Sequence, residues 1–190
     1  MRIIAGSARG LRLETLAGYE SRPTTAKVKE AVFSAIQFEV DGRHVLDLFA
    51  GSGQMGLEAL SRGAVGCVFV DNSAKAVRVV HDNLARLLKR FGDNKKNVDV
   101  LNTDAISYLK STEDNFDLVF IDPPYASNLL KPALDAAQEL MNKGGVIVCE
   151  SDADARLPEK IGRLSLNRVY NYGRVYIWLY RYYDKGREGE

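Results

Sequence analysis

Apolar positions along this chain fall into short continuous runs, and between the runs lie stretches with helical spacing. His44–Leu48, Gly66–Asp71, Val98–Asn102, Asp117–Ile121 and Gly145–Glu150 read as strands. They are apolar throughout rather than alternating, which suits a parallel sheet covered by helices on both faces. The intervening segments predict helices over Gln54–Ser61, Ala74–Arg90, a short one around Ala105–Leu109, and Asn128–Met141. In the second, Val77, Val80, Leu84, Leu87 and Leu88 share one face. The two ends of the chain differ from this theme. Met1–Ala5 and Gly10–Leu13 predict a small hairpin turning at Gly6 and Ser7. Val28, Ala31, Val32, Ala35 and Ile36 predict a helix running to about Phe38, with Thr24 or Thr25 as its N-cap. Near the other end, Arg163–Tyr170 and Arg174–Tyr183 flank Asn171-Tyr172-Gly173 and predict an antiparallel hairpin.

The length of 190 residues suits one such domain with a substantial core. No apolar run approaches the roughly 20 residues of a membrane span, and the first residues are too short for a secretory signal, so a cytoplasmic protein is expected. Cys67 and Cys149 lie inside apolar strands and read as buried free thiols. His44 and His81 have no ligand spacing around them, so no metal site is expected. The net charge of +1 conceals an uneven distribution. Residues 1–29 carry Arg2, Arg9, Arg12, Arg22, Lys27 and Lys29 against Glu14 and Glu20, and residues 156–187 are more basic still. Solvated faces explain such ends, and so does a phosphate-binding surface.

Two turns carry chemistry. The first follows Val45-Leu46-Asp47-Leu48, where Phe49-Ala50-Gly51-Ser52-Gly53 leads into Gln54-Met55-Gly56. A strand that ends in a glycine-rich turn and feeds a helix presents free backbone N–H groups to a ligand. Gly51-x-Gly53-x-x-Gly56 matches the dinucleotide fingerprint, with Asp71 20 residues beyond Gly51. Asp47 argues against a pyrophosphate, which its carboxylate would repel. S-adenosylmethionine instead brings a sulfonium and an ammonium, which Asp47 attracts; a purely structural Asp47, capping the helix or holding the loop, is the competing reading. Asp71 suits two ribose hydroxyls, and Asp104 either meets an adenine edge or caps the following helix.

The second turn is Asp122-Pro123-Pro124-Tyr125. Successive prolines remove two donors and fix the backbone, leaving a carboxylate and the Pro123 carbonyl as acceptors for a planar amine. Tyr125 supplies a ring on which a base can stack. A tight strand-to-helix turn with a packed tyrosine is the simpler alternative.

Together, Asp-Leu-Phe-Ala-Gly-Ser-Gly and Asp-Pro-Pro-Tyr resemble class I S-adenosylmethionine-dependent amino methyltransferases. The wider chain resembles the bacterial small-subunit ribosomal RNA guanine-N2 methyltransferase (RsmD) family, through Met1–Gly6, Ala8-Arg9-Gly10, Arg22-Pro23-Thr24-Thr25, Val28–Ala31, Val45–Arg62 and Phe116–Tyr125. The resemblance implies an α/β, Rossmann-like fold with a seven-stranded, mostly parallel sheet whose C-terminal hairpin is antiparallel. Residues 1–40 would form a hairpin and helix extension, 41–185 the methyltransferase domain and 186–190 a tail. It implies methyl transfer from S-adenosylmethionine, leaving S-adenosylhomocysteine, to one guanine of 16S ribosomal RNA, by a monomer acting on the small subunit. Asp122, Pro123, Pro124 and Tyr125 would be catalytic. Asp47, Phe49, Ala50, Gly51, Ser52, Gly53, Asp71, Asn72, Asp104, Ala105, Arg22, Thr24 and Thr25 would surround the cofactor. Arg2, Arg9, Arg12, Arg22 and Lys27 would meet RNA. Adenine-N6 transfer and a non-catalytic RNA-binding protein are the alternatives; a nicotinamide oxidoreductase is disfavoured by Asp47.

Overall fold

The computed structural model describes residues 1–16, 24–91 and 97–183. Within them, α1 (Thr24–Ala35) precedes β1 (His44–Leu48), α2 (Gln54–Ser61), β2 (Gly66–Asp71), α3 (Ala74–Phe91) and β3 (Asn97–Asn102). There follow α4 (Ala105–Ser111), β4 (Phe116–Ile121), α5 (Leu130–Ala137), β5 (Met141–Ser151), β6 (Lys160–Ile161), β7 (Leu164–Tyr172) and β8 (Val175–Tyr182). The strands form one sheet in the order β3-β2-β1-β4-β5-β8-β7-β6, parallel through β5 and antiparallel beyond it. The chain therefore runs outward from β1 to β3 and returns on the other side of β1 as β4. That reversal opens a crevice at the carboxyl ends of β1 and β4, where α/β sheets take their ligands.

Alternate residues of each strand feed opposite cores, the two-residue period of a strand covered on both faces. Val45, Cys67, Phe69, Leu118, Phe120 and Val148 join α1, α2 and α3 in one cluster. Leu46, Leu48, Val68, Val70, Ile121 and Ile147 join α4 and α5 in the other. Asp47 stands on the first face, among apolar side chains. Among the described residues, no helix is long and apolar enough to cross a membrane.

The sheet contains the expected seven strands, and β6 adds an eighth of two residues. The expected N-terminal hairpin contracts to one antiparallel bridge, Arg2 with Arg12. Met1 and Ile3 still bond across to Leu13, Leu11 and Gly10, but Ile4, Ala5, Ser7 and Ala8 spend their backbone groups on α2. Glu58, fully buried, accepts the N–H groups of Ile4 at 2.8 Å and Ala5 at 3.0 Å. Ser61 donates to the Ala5 carbonyl at 2.6 Å and accepts from Ala8 N–H at 3.0 Å. Gly6 lies so close that a Cβ would sit 1.8 Å from the Ser61 carbonyl oxygen. Lys29 of α1 completes the joint, 3.4 Å from Glu58 and donating to the Arg2 carbonyl at 2.9 Å. Burial pushes the Lys29 pKa down, and Glu58 partly offsets the shift.

The helix expected over 128–141 is shorter at both ends. Asn128 adopts a left-handed conformation with φ 52°, which separates a 3-10 turn at Tyr125–Ser127 from α5. Pro132 sits in the first turn of α5, where its missing donor costs nothing. At the far end a second 3-10 turn gives way to β5 at Met141, which pairs with Phe116 across a bulge.

Candidate active site

The turn after β1 is held by backbone bonds and two carboxylates. Ala50 N–H donates to the Val70 carbonyl at 3.0 Å, and Gly53 N–H to the Ala50 carbonyl at 2.7 Å. Phe49 has φ 62°, a left-handed conformation that a bulky residue adopts only where its surroundings impose it. α2 then packs hard against β2: a Cβ on Gly56 would lie 2.3 Å from the Phe69 ring and 2.6 Å from Cys67 Sγ. This close approach explains the third glycine of the sequence pattern without any ligand.

Asp47 is 4% exposed and accepts the Gly56 N–H at 2.8 Å. The structural role foreseen for it is thus present. It does not complete the account, because among the described residues Asp47 has no cationic partner. Burial pushes its pKa up to about 7; the Gly56 N–H works against that rise and the nearby Asp71 charge adds to it.

Asp71, at the end of β2, ties the turn to its own strand. Its Oδ2 accepts Gly51 N–H at 2.9 Å and its Oδ1 accepts Ser73 N–H at 2.8 Å. Each carboxylate oxygen keeps a further acceptor site, so the carboxylate is oriented for two more donors. Asn72 is exposed beside it. At the end of β3, Asp104 caps α4 by accepting Ser107 N–H at 2.8 Å. That bond holds its carboxyl below the usual range. Ala105 is buried in the α4 core, leaving only its backbone for a ligand.

Across the switch point, β4 pairs in parallel with β1, Leu48 opposite Ile121. The two turns that stood out in the sequence are therefore neighbours on one sheet edge. Asp122 and Pro124 are exposed and Pro123 is buried. The Pro124 carbonyl is engaged, accepting Ser127 N–H at 2.9 Å and Ser127 Oγ at 2.6 Å. Tyr125 donates its hydroxyl to Glu150 Oε1 at 2.7 Å, so its ring is anchored to the end of β5.

Arg22 lies outside the described residues; Thr24 and Thr25 open α1. Arg2, Arg9, Arg12 and Lys27 are all exposed. Arg9, however, follows the turn bonded to Ser61, at the end of α2 remote from the crevice, about 10 Å along the helix axis. Sequence reasoning missed Asn83. Its side chain, fully buried in α3, accepts Glu14 N–H at 2.8 Å and donates to the carbonyls of Glu14 and Ser52, each at 3.0 Å. It clamps the N-terminal segment to the glycine turn. The only available signal was a lone Asn at Asn83, next to Leu84 on the apolar face of a strongly amphipathic helix.

The arrangement has counterparts. A family model described as conserved hypothetical protein 95 matches residues 1–181. Escherichia coli ribosomal RNA small subunit methyltransferase D is 32% identical over 192 residues, covering 100% of this chain and 92% of that protein. The chain belongs to the small-subunit ribosomal RNA methyltransferase D family. Within that family, a Bacillus subtilis putative rRNA methyltransferase, YlbH, is 41% identical over 186 residues, 95% of this chain and 98% of its own. A solved Escherichia coli putative methyltransferase superposes with a TM-score of 0.83 at 31% identity, covering 97% of this chain and 99% of that one. In fold alone, the chain is also similar to a Thermus thermophilus 16S rRNA N2 methyltransferase in complex with AdoMet and guanosine. There the TM-score is 0.67 at 22% identity, over 89% of this chain and 45% of that one.

Proposed function

We propose that this chain transfers a methyl group from S-adenosylmethionine to the exocyclic N2 amine of a guanine in 16S ribosomal RNA, presented on the small subunit. One observation carries the reading: a buried Asp47 without a cationic partner among the described residues and an oriented Asp71 lie at the same end of the sheet as the Asp122–Tyr125 turn. A family of ribosomal RNA methyltransferases supplies the substrate class.

The residues fit the cofactor. Asp47 faces the turn with a carboxylate that has no counter-charge among the described residues, and the cofactor's cationic methionine end would provide one. Asp71 would take the ribose hydroxyls on the acceptor sites left by Gly51 and Ser73. When bound, S-adenosylmethionine supplies an electrophilic methyl on sulfur. The rest is done by the turn after β4. Asp122 and the Pro123 carbonyl accept the protons of the guanine amine, drawing its lone pair out of conjugation and aiming it at the methyl. Tyr125, held by Glu150, stacks on the base. Positioning of this kind can supply several of the roughly 7–11 kcal/mol available from proximity. The methylated nitrogen is cationic and strongly acidic, so Asp122 or water can take the proton and no strong base is needed. The guanine must be unpaired or flipped out to reach the turn.

Labelled S-adenosylmethionine, incubated with small subunits from a strain lacking the gene, should yield labelled N2-methylguanine on nucleoside analysis. Label in N6-methyladenine would move the assignment to the other amine that such a turn can hold, and absence of N2-methylguanine would overturn it. Asp122→Ala should abolish transfer while cofactor binding, measured by calorimetry, changes little.

A further inference from the structure

The C-terminal hairpin plays no part in this chemistry, yet its composition is unusual. Residues 163–183 hold Arg163, Arg168, Arg174 and Arg181, six of the chain's nine tyrosines, and no acid. On β7, Arg168, Tyr170 and Tyr172 are spaced by two and so share a face. Tyr170 and Tyr172 stack with ring centroids 6.4 Å apart and planes 13° from parallel. The Arg168 guanidinium lies 5.2 Å from the centre of the Tyr170 ring. Arg168 is exposed; both tyrosines are half-buried, packed on one side against the core under α1.

The strand register places this column relative to the candidate active site. Glu150 of β5 lies opposite Ile177 of β8, and Ile177 lies opposite Tyr170 of β7. Directly paired residues share a face, so Glu150, Ile177 and Tyr170 form one row across the sheet. Glu150 is the residue that anchors Tyr125. Two strand spacings, about 10 Å, separate it from Tyr170 on the same face and at the same edge.

We infer that the Arg168–Tyr170–Tyr172 column is a stacking platform for an unpaired nucleotide of the RNA strand that carries the target base. The inference deepens the proposed function and rests on it for the position of the target. An arginine plane and two rings in series present π-faces that accept any base, and the acid-free hairpin attracts the phosphates between them. A flipped-out target leaves its neighbours partly unstacked, and a platform a few nucleotides away gives one of them a surface to stack on. Tyr125 would then hold the reacting base, while β7 holds the strand.

The test uses the full chain and two readouts. In the first, fluorescence anisotropy follows binding of a labelled short single-stranded RNA and of a duplex of the same sequence. Tyr170→Ala and Tyr172→Ala should each weaken single-strand binding about tenfold, the lower range of losses seen when a stacking ring is removed. Tyr170→Phe and Tyr172→Phe should bind like the parent, and duplex binding should not respond to any of the four. In the second, KM for small subunits should rise by a similar factor in the alanine variants while kcat at saturation is retained. Should Tyr170→Ala fail to fold, the Tyr172 pair, at the end of the strand, carries the same comparison. Unchanged single-strand binding in the folded alanine variants would overturn the inference, as would an equal loss for duplex RNA. Binding does not depend on turnover. Loss of binding in the alanine variants beside a parent that methylates nothing would therefore sink the proposed function and leave the platform standing.

Discussion

Two buried carboxylates, Asp47 on β1 and Glu58 on α2, have opposite surroundings. Glu58 is fully buried at the joint with the N-terminal segment and is met by Ile4 and Ala5 N–H, Arg62 at 2.8 Å and Lys29 at 3.4 Å. Asp47 is almost as buried, meets the single N–H of Gly56, and is driven up to about 7 by burial. The first is a finished joint: its counter-charges come from the chain itself. The second has no counter-charge among the described residues and is placed to take one from a ligand. Buried charge with a built-in partner organises the fold, whereas buried charge without one marks the place for a cation.

The comparison breaks most visibly at Glu58. Glu58→Ala should lower stability by about 3–5 kcal/mol, because Lys29 and two backbone donors lose their acceptor. Chemical denaturation would show it, and a loss below about 1 kcal/mol would mean the joint is dispensable. Asp47→Asn should act in the opposite direction on the protein without cofactor. A carboxyl raised from 3.8 to about 7 on folding contributes stability that is full below pH 4 and is lost as pH rises through 7. Removing the charge should therefore stabilise the cofactor-free protein above pH 7, by up to about 4 kcal/mol, with no gain below pH 4. Thermal midpoints of the two proteins across pH would trace the difference.

Asn83→Ala sharpens the comparison from the side of the glycine turn. It removes three hydrogen bonds between Glu14, Ser52 and α3, and should cost about 2 kcal/mol of stability and weaken cofactor binding. Equal cofactor affinity in the two proteins would show that the turn holds without the clamp. The smallest effect is expected at Asp104. Its bond to Ser107 N–H is an exposed helix cap, so Asp104→Ala should cost about 1 kcal/mol. A much larger loss of cofactor affinity would show that its contact with the ligand outweighs its capping role.

Much of the sheet was legible because its signals are local. The apolar runs of β1 and β2 and the helical spacing of α2 have the same limits in the sequence and in the structure. The turns at Gly51 and Asp122 stood out in the sequence, and strand order made them neighbours. Glu58, Lys29 and Asn83 were not legible. Polar residues within helices read as solvent-facing, and apart from Arg62, one helical turn from Glu58, their partners lie 27 to 69 residues away, beyond any periodicity. Glu150 was hidden likewise, since only its place opposite the Tyr125 hydroxyl gives it a role. The limits of α5 turned on the left-handed Asn128, which helical spacing could not reveal.

The central claim is that Asp47 awaits a cation, and proton release tests it most directly. Calorimetric titration with S-adenosylmethionine at about pH 6.5, in buffers of differing ionisation heat, measures the protons exchanged on binding. At that pH the ligand's own amine is fully protonated, with its pKa near 8, and the cofactor-free Asp47 is mostly protonated. Binding of the cation should drive off much of one proton in the parent and none in Asp47→Asn, which should also bind less tightly. The same proton release in both proteins, or no release in either, would contradict the account.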